Sequence, residues 1–145
     1  MPPKSQQLNP NGTPQTSHWF DQVKAFTEAM GQPVGAPLDK RADNGGALFA
    51  LRNDLVQEEA HEVNEEIMAR GHFTGLRYPD EIDKAALTKE LADLIYVTIG
   101  FAVTFGLPLC EVFERVHQSN MSKLSEDGKV MKGPNYQPPQ LDDLF

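Results

Sequence analysis

The chain is poor in cysteine and in positive charge. Among its 145 residues there is one cysteine, Cys110, and 13 basic side chains stand against 21 acidic ones, for a formal net charge of -8. One cysteine is too few for an internal disulfide and is typical of a reducing compartment, so we expect a cytoplasmic protein. The negative charge repels nucleic acid and anionic membrane surfaces, so neither is expected as a partner.

Long apolar runs and glycine-rich phosphate-binding loops are also absent from the sequence. The most apolar stretch, residues 94–109, is shorter than the ~20 residues that cross a bilayer, and it contains Gly106 and Pro108. Neither a GxxxxGK(S/T) loop nor a GxGxxG loop occurs. If this protein binds phosphate groups, it must use another kind of site, in which nearby side chains supply the positive charge.

What the sequence does contain is apolar residues at a spacing near 3.6, which predicts an all-α protein. We expect one domain, a four-helix bundle over residues 17–124, with helices at 17–30, 47–70, 80–105 and 108–124 and Ser17 as the first N-cap. Residues 1–16 lack the apolar core of a secretory signal and are predicted to form a disordered arm. Residues 125–145, rich in proline, glycine and charge, are predicted to form an extended tail.

The third predicted helix is apolar on nearly all sides in its second half. A helix without a polar face must be covered on every side, and a small bundle has few helices for that purpose. We therefore expect the chain to oligomerise through this helix, as a homodimer or a dimer of dimers.

Carboxylates interrupt the apolar pattern of the second and third predicted helices. In the second helix, leucines recur at intervals of three and four residues, and Glu58 and Glu62 continue this spacing, with Glu59 beside them. In the third helix Glu90 and Asp93 lie three residues apart. Burying unpaired carboxylates is costly, so a bound cation is expected. Mg²⁺ prefers oxygen ligands and is the predicted cofactor, with Mn²⁺ as its substitute. The predicted metal ligands are Glu59, Glu62, Glu90 and Asp93.

At these residues the sequence resembles the MazG-like all-α nucleoside triphosphate pyrophosphohydrolases. Their ExxE…ExxD signature reads here as Glu59-x-x-Glu62 and Glu90-x-x-Asp93, within LVQEEAHEVNEE and KELADLIYV. The segment VHQSNMSKL resembles the phosphate-contact segment of that family, and DGKVMKGPNYQPP resembles its closing segment. The resemblance covers residues 20–139 and is closest to the small single-domain members akin to dimeric dUTPases and phosphoribosyl-ATP pyrophosphohydrolases.

The resemblance implies Mg²⁺-dependent hydrolysis of a nucleoside triphosphate to the monophosphate and pyrophosphate. The expected substrate is a deoxypyrimidine nucleotide such as dUTP, or a non-standard nucleotide. Glu58 is the candidate general base or a further metal ligand. Asn120, Lys123 and Lys129 are the candidate substrate-binding residues, with the tail closing over the site.

Two other functions are compatible with parts of the pattern. A ferritin-like di-iron protein places one Glu on each of two helices and Glu-x-x-His on the other two, but it would leave Glu59, Glu62 and Asp93 without a role. A non-catalytic acidic helical interaction module would explain the charge, but not the carboxylates within the apolar pattern. The candidate di-iron ligands are Glu28, Glu58, His61, Glu90, Glu114 and His117.

Overall fold

The computed structural model describes residues 16–42, 46–68, 75–124 and 133–145. They form four α-helices, α1 (Thr16–Ala29), α2 (Ala47–Ile67), α3 (Lys84–Thr104) and α4 (Leu109–Met121), and two 3-10 helices at Pro79–Glu81 and Asp142–Leu144. In this part of the chain there is no β-strand, only isolated pairing such as Met68 with Leu76. The predicted all-α class is therefore confirmed. Residues 1–15 of the predicted arm lie outside the described residues.

The ends of the helices differ from the predicted ones for local reasons. The first helix begins at Thr16, so Ser17 lies within it and is not its N-cap. The second ends at Ile67 because the backbone of Met68 is extended. The third begins at Lys84, where the side chain of Asp83 caps the helix by accepting a hydrogen bond from the Ala86 N–H. The fourth ends at Met121, and Gly106 ends the third with a φ of 63°, as its position predicts.

The chain divides into two compact units, Met1–Leu107 and Pro108–Phe145. In the first unit, α3 packs against both α1 and α2. The most buried side chains are Val103 and Thr104, near the end of α3. The loop after α1 covers this end, because the N–H groups of Gly35 and Ala36 donate to the carbonyl oxygens of Val103 and Thr104 at 3.0 and 2.7 Å. The predicted division into arm, helical domain and tail stays a prediction.

The end of α3 is buried within the chain, and the expected oligomerisation through this helix stays a prediction. Ile99, Ala102 and Val103 are buried. The exposed large apolar side chains of α3 precede this buried end: Leu91 is 44%, Ile95 42% and Tyr96 39% exposed. Among the described residues no single helix is long and apolar enough to span a membrane; α3 and α4 meet the length and composition criteria only together, as a bent pair.

The second unit contains α4 and the described part of the predicted tail, residues 133–145. Arg115 of α4 donates to the carbonyl oxygen of Gln140 at 2.9 Å and to the carboxylate of Asp143, with one contact at 3.0 Å. The N–H of Gln137 donates to the hydroxyl of Ser122 at 3.0 Å. The C-terminal segment therefore folds back onto α4. Residues 125–132 lie outside the described part of the chain.

Candidate metal and nucleotide site

Three carboxylates meet where α2 packs against α3. Glu59 comes from α2, and Glu90 and Asp93 come from one face of α3. Each of the three offers an oxygen, all within 4.8 Å of one another, and all three residues are half-buried. We call this group the carboxylate cluster. Three of the four predicted metal ligands are thus brought together.

The other two predicted acids of α2 lie beside the cluster. Glu62, one turn further along α2, is exposed, and Glu58 is exposed next to Glu59. Within the described residues neither side chain belongs to the three-oxygen group. The metal-binding role of Glu62 and the catalytic role of Glu58 stay predictions.

Lys89 supplies part of the positive charge that the carboxylate cluster needs. Its Nζ lies 2.8 Å from Oδ2 of Asp93 and 3.3 Å from Oε1 of Glu90. These hydrogen bonds raise the pKa of Lys89. The other oxygen of Glu90, Oε2, is buried and has no hydrogen-bond partner. A buried carboxylate oxygen without a partner carries a desolvation cost, which a bound cation would remove.

The electrostatics of Glu59 favour a proton or a cation at this position. Burial raises the pKa of Glu59, and the negative charges of Asp93, Glu58 and Glu90 raise it further, while the charge of Lys89 opposes the rise. Metal binding needs the carboxylates deprotonated, so a cation competes with the proton here. Clustered carboxylate oxygens on rigid helices fit Mg²⁺, which prefers oxygen ligands.

The predicted phosphate contacts lie in the second unit, at the end of α4. Lys123 Nζ donates to Oδ1 of Asn120 at 3.0 Å and lies 5.7 Å from the centroid of the Tyr136 ring. Asn120 and Lys123 therefore contact each other, and the aromatic ring of Tyr136 orients the lysine. Lys129 lies outside the described residues.

The candidate di-iron ligands are not gathered in the first unit. Only Glu90 of that set belongs to the carboxylate cluster. Glu28 and Glu58 are exposed, and His61 is an exposed surface residue whose Nε2 lies 3.6 Å from Oε1 of Glu65 on the next turn. On α4, Glu114 and His117 are also exposed.

Sequence reasoning missed two cations, Lys89 and Arg52. Lys89 precedes Glu90, but its contact with Asp93 depends on which way the side chain bends along α3. Arg52 precedes Glu59 by seven residues and thus shares its face of α2, a signal that was available from the sequence. Its Nε is buried and has no hydrogen-bond partner.

An all-α fold that gathers carboxylates from two packed helices agrees with the class to which the family comparison assigns this protein, the MazG-like nucleoside triphosphate pyrophosphohydrolases. Within that class, residues 23–120 match the model of the family described as phosphoribosyl-ATP pyrophosphohydrolase. The match covers more than half of the chain, so the protein belongs to the phosphoribosyl-ATP pyrophosphohydrolase family. It is a hydrolase with pyrophosphohydrolase activity on a nucleotide, which confirms the resemblance noted above. No curated protein matches the chain.

Proposed function

We propose that the protein hydrolyses a nucleoside triphosphate to the monophosphate and pyrophosphate in a Mg²⁺-dependent reaction, with Mn²⁺ as a substitute ion. The observation that carries the proposal is the carboxylate cluster with its unpaired, buried Glu90 oxygen. A deoxypyrimidine nucleotide such as dUTP, or a non-standard nucleotide, is the proposed substrate. The family assignment supports the reaction type.

The proposed metal ligands are the three members of the carboxylate cluster together with Glu62. Bound Mg²⁺ supplies neutralisation of phosphate oxygens and a lowered pKa of a coordinated water. The helices contribute rigidity, because α2 and α3 pack against each other and hold Glu59, Glu90 and Asp93 at fixed separations. Such preorganised ligands need little rearrangement when an ion binds.

Glu58 is the proposed general base. It is exposed beside Glu59, so water reaches its carboxylate. Its negative charge contributes to the raised pKa of Glu59 in the cluster. A carboxylate in this position accepts the proton of a water that attacks phosphorus.

Asn120, Lys123 and Lys129 are the proposed phosphate contacts, with residues 125–145 closing over the bound nucleotide. The Asn120 contact and the Tyr136 ring hold Lys123 in one orientation, which lowers the entropy cost of binding phosphate. On a protein with a net charge of -8 the overall field repels a triphosphate, so such local cations matter.

We also propose a homodimer or dimer of dimers in the reducing cytoplasm. Exposed apolar side chains of α1 and α3, among them Trp19, Leu91 and Ile95, support self-association. A sequence with one cysteine offers no internal disulfide, which supports the compartment.

The test measures pyrophosphate release from a panel of nucleoside triphosphates with Mg²⁺. The wild type is expected to release pyrophosphate, and Glu90→Gln is expected to lower kcat/KM by about a hundredfold or more, because it removes a ligand charge from the cluster. Glu81→Gln is the matched control, since Glu81 is exposed on the 3-10 helix before α3. Release of orthophosphate alone, or equal activity of Glu90→Gln and the wild type, would contradict the proposal.

A further inference from the structure

A groove lies between α1 and α2, with α3 as its floor. Its volume is about 320 Å³, which falls within the range of small-molecule sites. The walls include Phe26 and Leu55, and the floor includes Tyr96, Val97 and Gly100. The rings of Phe26 and Tyr96 meet edge to face, with centroids 5.7 Å apart. Such walls suit a flat, aromatic ligand.

Among the residues that the structure describes, Arg52 is the one charged residue that lines this groove. Its Nε is buried without a hydrogen-bond partner, and none of the ion pairs among the described residues includes it. A Cβ added at Gly100 would lie 3.5 Å from Nη1 of Arg52, an ordinary van der Waals distance, so the guanidinium lies against α3 at this residue. Burial also lowers the pKa of Arg52. A buried guanidinium N–H without an acceptor carries a desolvation cost, and a ligand with a hydrogen-bond acceptor at this position would remove that cost.

The groove and the carboxylate cluster lie along the same two helices, α2 and α3. Arg52 and Glu59 lie seven residues apart on α2, which places them on one face about 10 Å apart along the helix axis. On α3, Gly100 follows Asp93 by the same seven residues. Leu55, which lines the groove, is one turn from Glu59. A nucleotide with its phosphates at the cluster therefore extends its base toward Arg52.

We propose that this groove holds the base of the substrate nucleotide and that Arg52 donates a hydrogen bond to the keto oxygen at position 4 of that base, the O4 of uracil. The inference rests on the proposed function, because the cluster must bind the phosphates for the base to lie here. A guanidinium carries donors only, so it pairs with the O4 of uracil and meets the amino group of cytosine as a second donor. The protein is therefore expected to select uracil over cytosine.

The test compares dUTP with dCTP, which differ at this group. The wild type is expected to prefer dUTP, and Arg52→Met is expected to lower the ratio of kcat/KM for dUTP over dCTP about tenfold or more, with Arg52→Lys restoring part of it. Arg41→Met is the control, because Arg41 is an exposed arginine of the same unit. Arg52→Met is expected to unfold at the wild-type temperature or higher, since it removes an unpaired buried donor.

A binding measurement separates this inference from the proposed function. Calorimetry with dUMP and dCMP needs no hydrolysis and is expected to show dUMP preferred by the wild type but not by Arg52→Met. That result without pyrophosphate release would contradict the proposed function alone. Equal binding of both monophosphates, equal losses for dUTP and dCTP in Arg52→Met, or a wild-type preference for dCTP would overturn the assignment of Arg52. So would dissociation of an oligomer by Arg52→Met in sedimentation, because the groove would then be an interface between two copies of the chain.

Discussion

The ammonium of Lys89 lies between two carboxylates that are proposed metal ligands. It contacts Asp93 at 2.8 Å and Glu90 at 3.3 Å, yet the side chain is 67% exposed. An ion that binds these oxygens must therefore displace the lysine or share the carboxylates with it. Repulsion between the two cations would weaken the binding of the ion.

We predict that Lys89→Met binds Mg²⁺ or Mn²⁺ about two- to fivefold more tightly than the wild type, because an exposed ion pair is weak and its removal ends the repulsion between the ammonium and the ion. Isothermal calorimetry measures the affinity. Lys84→Met is the control, since Lys84 is exposed at the start of α3. Unchanged or weaker ion binding in Lys89→Met would show that the ammonium does not compete with the ion.

At this scale the sequence predicted the acids better than the cations. Glu59, Glu90 and Asp93 could be found because their spacing places carboxylates on an apolar helix face. The partners of Lys89 and the unpaired state of Arg52 depend on side-chain direction and on the distance between helices, which spacing does not contain. Residue spacing likewise could not predict that Glu62 is exposed.

Among the elements, helix positions followed from periodicity, while helix ends did not. Apolar spacing records which face is buried, but the end of a helix is decided by a few local hydrogen bonds. Near the start of α3, Pro79 begins a 3-10 helix and Ile82 is extended, so the capping carboxylate is Asp83 and not an earlier acid. The position of the cap fixes the register of the helix that carries Glu90.

We predict that Asp83→Ala lowers the free energy of unfolding by about 1 kcal/mol, within the ~0.5–2 kcal/mol range of lost N-caps. The Ala86 N–H would lose its acceptor, which lies at 3.0 Å in the native cap. Urea denaturation followed by circular dichroism measures the change. Asp80→Ala is the control on the preceding 3-10 helix. Equal destabilisation by both variants would mean that the cap is not the cause.

The contact of the C-terminal segment with α4 is expected to depend on pH. Hydrogen bonds from Arg115 hold the pKa of Asp143 below its ordinary value of 3.8. A depressed folded-state pKa means that the stabilisation is complete above pH 3.8 and is lost as the pH falls through the lower folded value. We predict that hydrogen exchange of residues 133–145 accelerates in that acidic range. In Asp143→Asn these residues should already exchange faster than in the wild type at neutral pH. Asp142→Asn is the control and should behave as the wild type. A wild-type exchange profile in Asp143→Asn would contradict the role of this ion pair.

For the molecule as a whole, self-association must overcome a net charge of -8 on each copy. Apolar contact is the available driving force, and Leu91 and Ile95 provide it four residues apart on one face of α3. That face is rotated away from Glu90 and Asp93, since they occupy other positions around the helix. Association through it would leave the carboxylate cluster accessible.

We predict that the wild type sediments as a dimer or larger oligomer at micromolar concentration, and that the double variant Leu91→Glu, Ile95→Glu sediments as a monomer. Added salt should strengthen the wild-type association, because it screens repulsion between acidic copies without weakening apolar contact. Leu76→Glu is the control, since Leu76 is 68% exposed but lies outside α3. A monomeric wild type, equal dissociation by the control, or association that weakens with salt would contradict an apolar interface on α3, and the last result would indicate charge pairing between the copies.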